Sequence, residues 1–171
     1  SDIAGKKVQA EGNLETTIEI PADSINVWRT NLKVSNPKLW SMKEPNLYVM
    51  KVSLKENEKV LDEFYTQFGI RKVGIKENKL IFNNHIVFLP GVARHEDHPV
   101  YGRSLPLEII YSDIKLIKSL NAKFLRTAHY PNHLYTYLIA DRIGISIMEE
   151  IPVWWFDNAE EWQIQNNQRH I

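Results

Sequence analysis

Arg94, His95, Asp97, Arg126, His129 and Glu150 are the side chains whose types and spacing suit work on a polar ligand. Residues 89–99 and residues 126–131 each follow or contain a short apolar run and then break into Arg, His and carboxylate. That is the pattern of a buried parallel strand whose C-terminal end opens into a polar site. Guanidinium, imidazole and carboxylate groups together donate and accept hydrogen bonds, and general acid–base chemistry draws on the same groups.

Strand alternation decides which carboxylate faces such a site. In residues 145–150, Ile145 and Ile147 suit a helix-covered face and Glu149 falls with them, whereas Ser146, Met148 and Glu150 point the other way. Neighbouring carboxylates on one strand cannot flank a single bond, as a hydrolytic pair does at a separation of about 5–5.5 Å or more. Glu150 alone lines the site, either touching a ligand or pairing with Arg94 or Arg126. His95, Glu96, Asp97 and His98 form the densest polar cluster. It reads as a loop that either faces a ligand or makes a sealing hydrogen-bond network, the second role suiting His98.

Other chemistries lack support. No His-Glu-x-x-His pattern occurs, and Pro131 separates His129 from His133, so no metal site is expected. Neither a Gly-rich phosphate loop nor a Gly-x-Ser-x-Gly elbow is present, and cysteine is absent, which excludes thiol nucleophiles and disulfides. No cofactor is implied. Lys plus Arg and Asp plus Glu number 21 each, so no net field favours nucleic acid or a membrane surface. The first seven residues are polar and carry no apolar leader. Nothing in the composition assigns a compartment.

Residues 1–75 read as a partial antiparallel β-sandwich. Residues 16–20 and 47–54 alternate, residues 55–59 form a charged turn, and residues 60–68 return as a partner strand. A seven-stranded sandwich takes ~100 residues, so four to six strands are expected here. From residue 76 the pattern changes. Asn83-Asn84 between two apolar runs predicts a hairpin with a two-residue turn. Ser112 is read as a helix N-cap, with Ile114, Ile117 and Leu120 on one face and Asn121 as the stop. Pro131 is read as opening a second helix that ends at Gly144, and Asn158 with Glu161 as capping a third. Strands alternating with helices imply a parallel sheet. Residues 76–171 have room for about three β/α units of a (β/α)8 TIM barrel, since the full fold takes ~250 residues. The sequence thus predicts a chain interrupted at both ends.

With these residues in place, the chain resembles glycoside hydrolase family 2, the family of β-galactosidases, β-glucuronidases and β-mannosidases. Leu39-Trp40 with Pro45-Asn46-Leu47-Tyr48 is similar to the end of that family's immunoglobulin-like β-sandwich, so that residues 1–75 are expected to be part of one, and Phe68-Gly69-Ile70-Arg71 is similar to its exit into the barrel. Gly91-Val92-Ala93-Arg94-His95-Glu96 resembles the first barrel strand. Arg126-Thr127-Ala128-His129-Tyr130-Pro131, with Asp141 and Gly144, resembles a family signature. Departures are Lys123 and Ala93 where Asn is usual, and Val153 and Trp155 where the magnesium-binding branch carries Glu and His. Glu150-Ile151-Pro152 is closer to the glucuronidase side.

The resemblance implies a retaining exo-glycosidase acting on a carbohydrate through two glutamates, one in an Asn-Glu pair after the fourth strand and one near the seventh. Both positions fall beyond Ile171, and Asn57-Glu58 lies in a sandwich hairpin instead. By this reading no residue here is catalytic. His129 contacts a sugar hydroxyl, Arg94, Arg126 and Glu150 shape the pocket floor, and His95 and Asp97 border it. Arg94, His129 and Glu150 are then expected to converge on one hollow. Trp154 and Trp155 either stack on the sugar or fill a core. The alternative is a non-catalytic carbohydrate-binding or scaffold protein with a degenerate barrel. Exposed strand edges of a partial barrel also predict self-association.

Overall fold

The computed structural model describes Ser1 and residues 4–152; Trp154, Trp155 and the third helix expected near Asn158 lie outside the described residues. The chain divides into two compact units. One comprises Ser1–Trp40 with Asn46–Arg71, the other Ser41–Pro45 with the chain from Lys72 onward.

In the first unit, β1 (Ala10–Gly12) pairs antiparallel with β2 (Leu32–Val34), and β3 (Tyr48–Glu56) with β4 (Lys59–Phe68). Asn57 and Glu58 turn β3 into β4 with φ of 46° and 66°, the paired positive values of a turn matched to strand twist. Trp40 is buried against Gly69, where a Cβ would lie 2.7 Å from the Trp40 Cβ, and the Arg71 guanidinium stands 4.7 Å from the ring centroid. The expected strand at residues 16–20 is absent: the stretch is irregular, and Ile18 and Ile20 are exposed. Alternation makes a strand only where a neighbouring strand takes up its backbone hydrogen bonds. The four described strands form two separate ladders and do not complete a sandwich.

In the second unit, β5 (Val73–Lys76), β6 (Lys79–Phe82) and β7 (His85–Ile86) form an antiparallel meander, with Asn83 and Asn84 at positive φ in the expected hairpin. A parallel sheet follows, built from β8 (Gly91–Arg94), β9 (Phe124–Thr127) and β10 (Ser146–Glu149) in the order β10-β9-β8. Helix α1 (Leu107–Ser119) joins β8 to β9, and α2 (Leu134–Ile143) joins β9 to β10. The barrel is not closed among the described residues; three β strands and two helices of it are present.

One face of this sheet meets the helices. Leu125 and Ile145 join Ile110, Ile114, Ile117 and Ala140 in the core, with Val92 and Ile147 packed against it. Leu120, expected on the same helix stripe, is exposed. Two helix starts differ from the sequence reading. Helix α1 begins after Pro106, whose carbonyl accepts from the N–H groups of Ile109 and Ile110, and Ser112 lies inside the helix with Oγ donating to Ile109 O. Helix α2 begins after His133, whose Nδ1 accepts from Tyr135 N–H at 3.2 Å, so Pro131 precedes the helix. Both stops hold: Asn121 has φ 58° and Gly144 has φ 81°. Lys118 Nζ donates to Met42 O and Gly144 O at 2.8 and 2.9 Å, and burial lowers its pKa.

Candidate functional site

The register brings the polar strand ends level. Ala93 pairs with Arg126 and Arg126 with Met148, while Arg94 pairs with Thr127 and Thr127 with Glu149. Period two then sorts these residues by face. Val92, Leu125 and Ile147 face the helices, so Arg94, Thr127 and Glu149 do too; Ala93, Arg126 and Met148 face the interior side of the sheet.

On that interior side Arg126 Nε donates to Glu150 Oε1 at 2.5 Å, and His129 Nδ1 lies 3.0 Å from Glu150 Oε2 and 3.3 Å from Arg126 Nη2. Nδ1 cannot donate to the carboxylate and accept from the guanidinium at once. Glu150 as a carboxylate only accepts, and its contact is the shorter, so Nδ1–H points at Glu150. The Arg126 guanidinium beside Glu150 holds its carboxyl below the usual range, His129 adding to the effect and desolvation opposing it. Glu150 N–H donates to Thr127 Oγ1 at 3.2 Å, which ties β10 to the end of β9. The His129 side chain is 48% exposed and that of Arg126 38%.

His95 adjoins this cluster, its ring centroid 5.1 Å from that of His129 and 6.0 Å from that of Tyr130. Arg103 covers Tyr130, 4.9 Å from its centroid. Asp97 is exposed and accepts from His98 N–H at 2.9 Å in a local turn. His98 closes a small loop with Gly102 through paired backbone hydrogen bonds and suits a structural role.

Arg94 does not join them, and the expected convergence of Arg94, His129 and Glu150 is corrected. Its guanidinium turns to the helix side, where Nε and Nη2 donate to Asp113 Oδ2 of α1 at 3.0 and 2.8 Å and Nη1 donates to Glu96 Oε1 and Asn132 Oδ1. The cause is alternation, which places Arg94 with Val92. Glu96, buried, also accepts from His133 N–H at 2.6 Å and Thr136 Oγ1 at 2.9 Å. Tyr137 OH donates to Glu149 Oε1 and accepts from Asn132 N–H, and burial pushes its pKa up to about 12. Sequence reasoning missed Asn132, Thr136 and Tyr137. Their signal was weak, since each sits in or beside a helix where a polar side chain is ordinary. Among the described residues no group of three or more His, Asp or Glu is arranged to hold a metal ion.

An interior-facing, half-exposed set of arginine, imidazole and carboxylate at parallel strand ends can hydrogen-bond a polyhydroxylated ligand. The family model "Glycosyl hydrolases family 2, TIM barrel domain" matches residues 73–170, and "Glycosyl hydrolases family 2" matches residues 1–71. A β-galactosidase of Psychromonas ingrahamii is 38% identical over 120 residues, 70% of this chain and 12% of that protein. One from Alteromonas mediterranea is 38% identical over 123 residues, 71% of this chain and 12% of that protein. The structure of a β-glucuronidase from Ruminococcus gnavus, in complex with an N1-substituted uronic isofagomine, superposes with a TM-score of 0.67 at 36% identity, covering 71% of this chain and 21% of that one. This chain therefore spans about an eighth of the β-galactosidases it matches. With both family models matched end to end along it, the chain belongs to glycosyl hydrolase family 2.

Proposed function

We propose that this chain forms one wall of the sugar pocket of a retaining exo-glycosidase that cleaves O-glycosidic bonds. The observation that carries the reading is the Arg126–Glu150–His129 cluster at the C-terminal ends of β9 and β10, on the sheet face away from the helices. In this role His129 Nε2 accepts from a sugar hydroxyl, Glu150 fixes the ring's orientation, and Arg126 sets the charge of the floor. His95 and Asp97 border the pocket, and Arg94 supports it from behind. Retaining hydrolysis needs one carboxylic acid to protonate the leaving oxygen and a second carboxylate to form the glycosyl-enzyme that water releases. The family pattern assigns those steps to glutamates on later barrel strands, which this reading places outside residues 1–171.

The test offers nitrophenyl β-galactoside, β-glucuronide and β-mannoside to the complete polypeptide that contains this segment, and to residues 1–171 alone. Turnover is expected from the complete polypeptide only, with His129→Ala lowering kcat/KM about 10- to 100-fold, the scale of one or two lost hydrogen bonds at a site. Hydrolysis by residues 1–171 alone, or unchanged kinetics in His129→Ala, would overturn the reading.

A further inference from the structure

We infer that Glu96 is a positioning residue for His129, an inference that rests on the sugar-contacting role of His129 proposed above. The backbone leaves the sheet after Thr127, carries His129 and enters α2 at Leu134. Contacts from a strand end more than thirty residues earlier hold this short connection. Ala128 N–H donates to Arg94 O at 3.1 Å at its start. At its far end Glu96 accepts from His133 N–H and Thr136 Oγ1, and Arg94 Nη1 bridges Glu96 Oε1 and Asn132 Oδ1. In the middle, the Tyr130 hydroxyl accepts from Glu96 N–H at 3.1 Å. The Glu96 side chain is only 7% exposed, and three donors aim at its two oxygens. It therefore serves as an internal anchor for the connection that carries the half-exposed His129 side chain.

The isosteric Glu96→Gln variant probes this. Whichever way its amide turns, the NH2 group meets a fixed donor, either His133 N–H or the Arg94 guanidinium. Volume is kept and the anchor is lost. A double-mutant cycle in the complete polypeptide, on whichever nitrophenyl glycoside it cleaves, compares Glu96→Gln, His129→Ala and their combination. Glu96→Gln is expected to lower kcat/KM about tenfold or more, with no further loss when His129 is already Ala. An equal loss in both backgrounds would assign Glu96 to general stability and overturn the inference. If His129→Ala alone changes nothing, the functional reading fails, and a second readout still decides the inference: the His129 imidazole NMR resonances. They are expected to move in Glu96→Gln at constant pH, and unchanged resonances in the folded variant would overturn it. Should Glu96→Gln fail to fold, Thr136→Val removes a single donor from the same carboxylate. It is expected to give a smaller loss, again absent beside His129→Ala, and a loss that persists there would count against the inference.

Discussion

At the residue scale, Glu150 is organised by charge. Its folded pKa is lowered, first by the hydrogen bond from Arg126. The unfolded carboxyl titrates at about 4.3, so the stabilisation is fully present above that pH and is lost as pH falls through the lower folded value. Arg126→Gln is expected to move the Glu150 midpoint upward, read by carbon NMR of the carboxyl; a midpoint that stays put would show that Arg126 is not the cause. The Glu150–Arg126 pairing was legible as one of two readings, because Ile145 and Ile147 mark the covered face of their strand and leave Glu150 on the other. Arg94 was not legible. The same period-two rule governs it, but Gly91-Val92-Ala93-Arg94 holds too few bulky apolar residues to tell which face the helices cover. Its partner Asp113, nineteen residues on, could not be paired with it without knowing how α1 packs.

At the element scale, the turns hold the second unit's parts in register. Gly144 ends α2 at φ 81°, and a Cβ there would lie 2.5 Å from Met42 O. A left-handed conformation costs a side-chain-bearing residue about 1–2 kcal/mol before any clash. Gly144→Ala is therefore expected to destabilise by about 2 kcal/mol or more in chemical denaturation. Gly74→Ala, with nothing within 4 Å of its Cβ, serves as the near-neutral comparison. Equal midpoints for the two variants would refute the role given to Gly144. Stops were easier to read than starts. Asn121 and Gly144 are needed for positive φ, a demand few residues meet. A helix start can instead be supplied by many groups: here a proline carbonyl opens α1 and a histidine ring caps α2, while Ser112, the better cap by type, lies within the helix.

At the scale of the whole molecule, the parallel sheet has its edges at β8 and β10 among the described residues, and exposed apolar residues such as Phe64, Ile75 and Phe88 accompany the antiparallel strands. Unpaired edges recruit further strands. Residues 1–171 on their own are expected to sediment as species heavier than the single chain, and a clean monomer by analytical ultracentrifugation would count against this. From β6 to β10 the order of elements, with the parallel pairing and the family, was determined by sequence, because hydrophobic period, turn residues and short motifs are local properties that survive without knowledge of packing. Only the tertiary structure decided which arginine joins the histidine and which turns to the helix side. That choice depends on which sheet face the helices bury, and on a carboxylate at 96 meeting donors at 133 and 136; both are set by contacts between segments far apart in the chain.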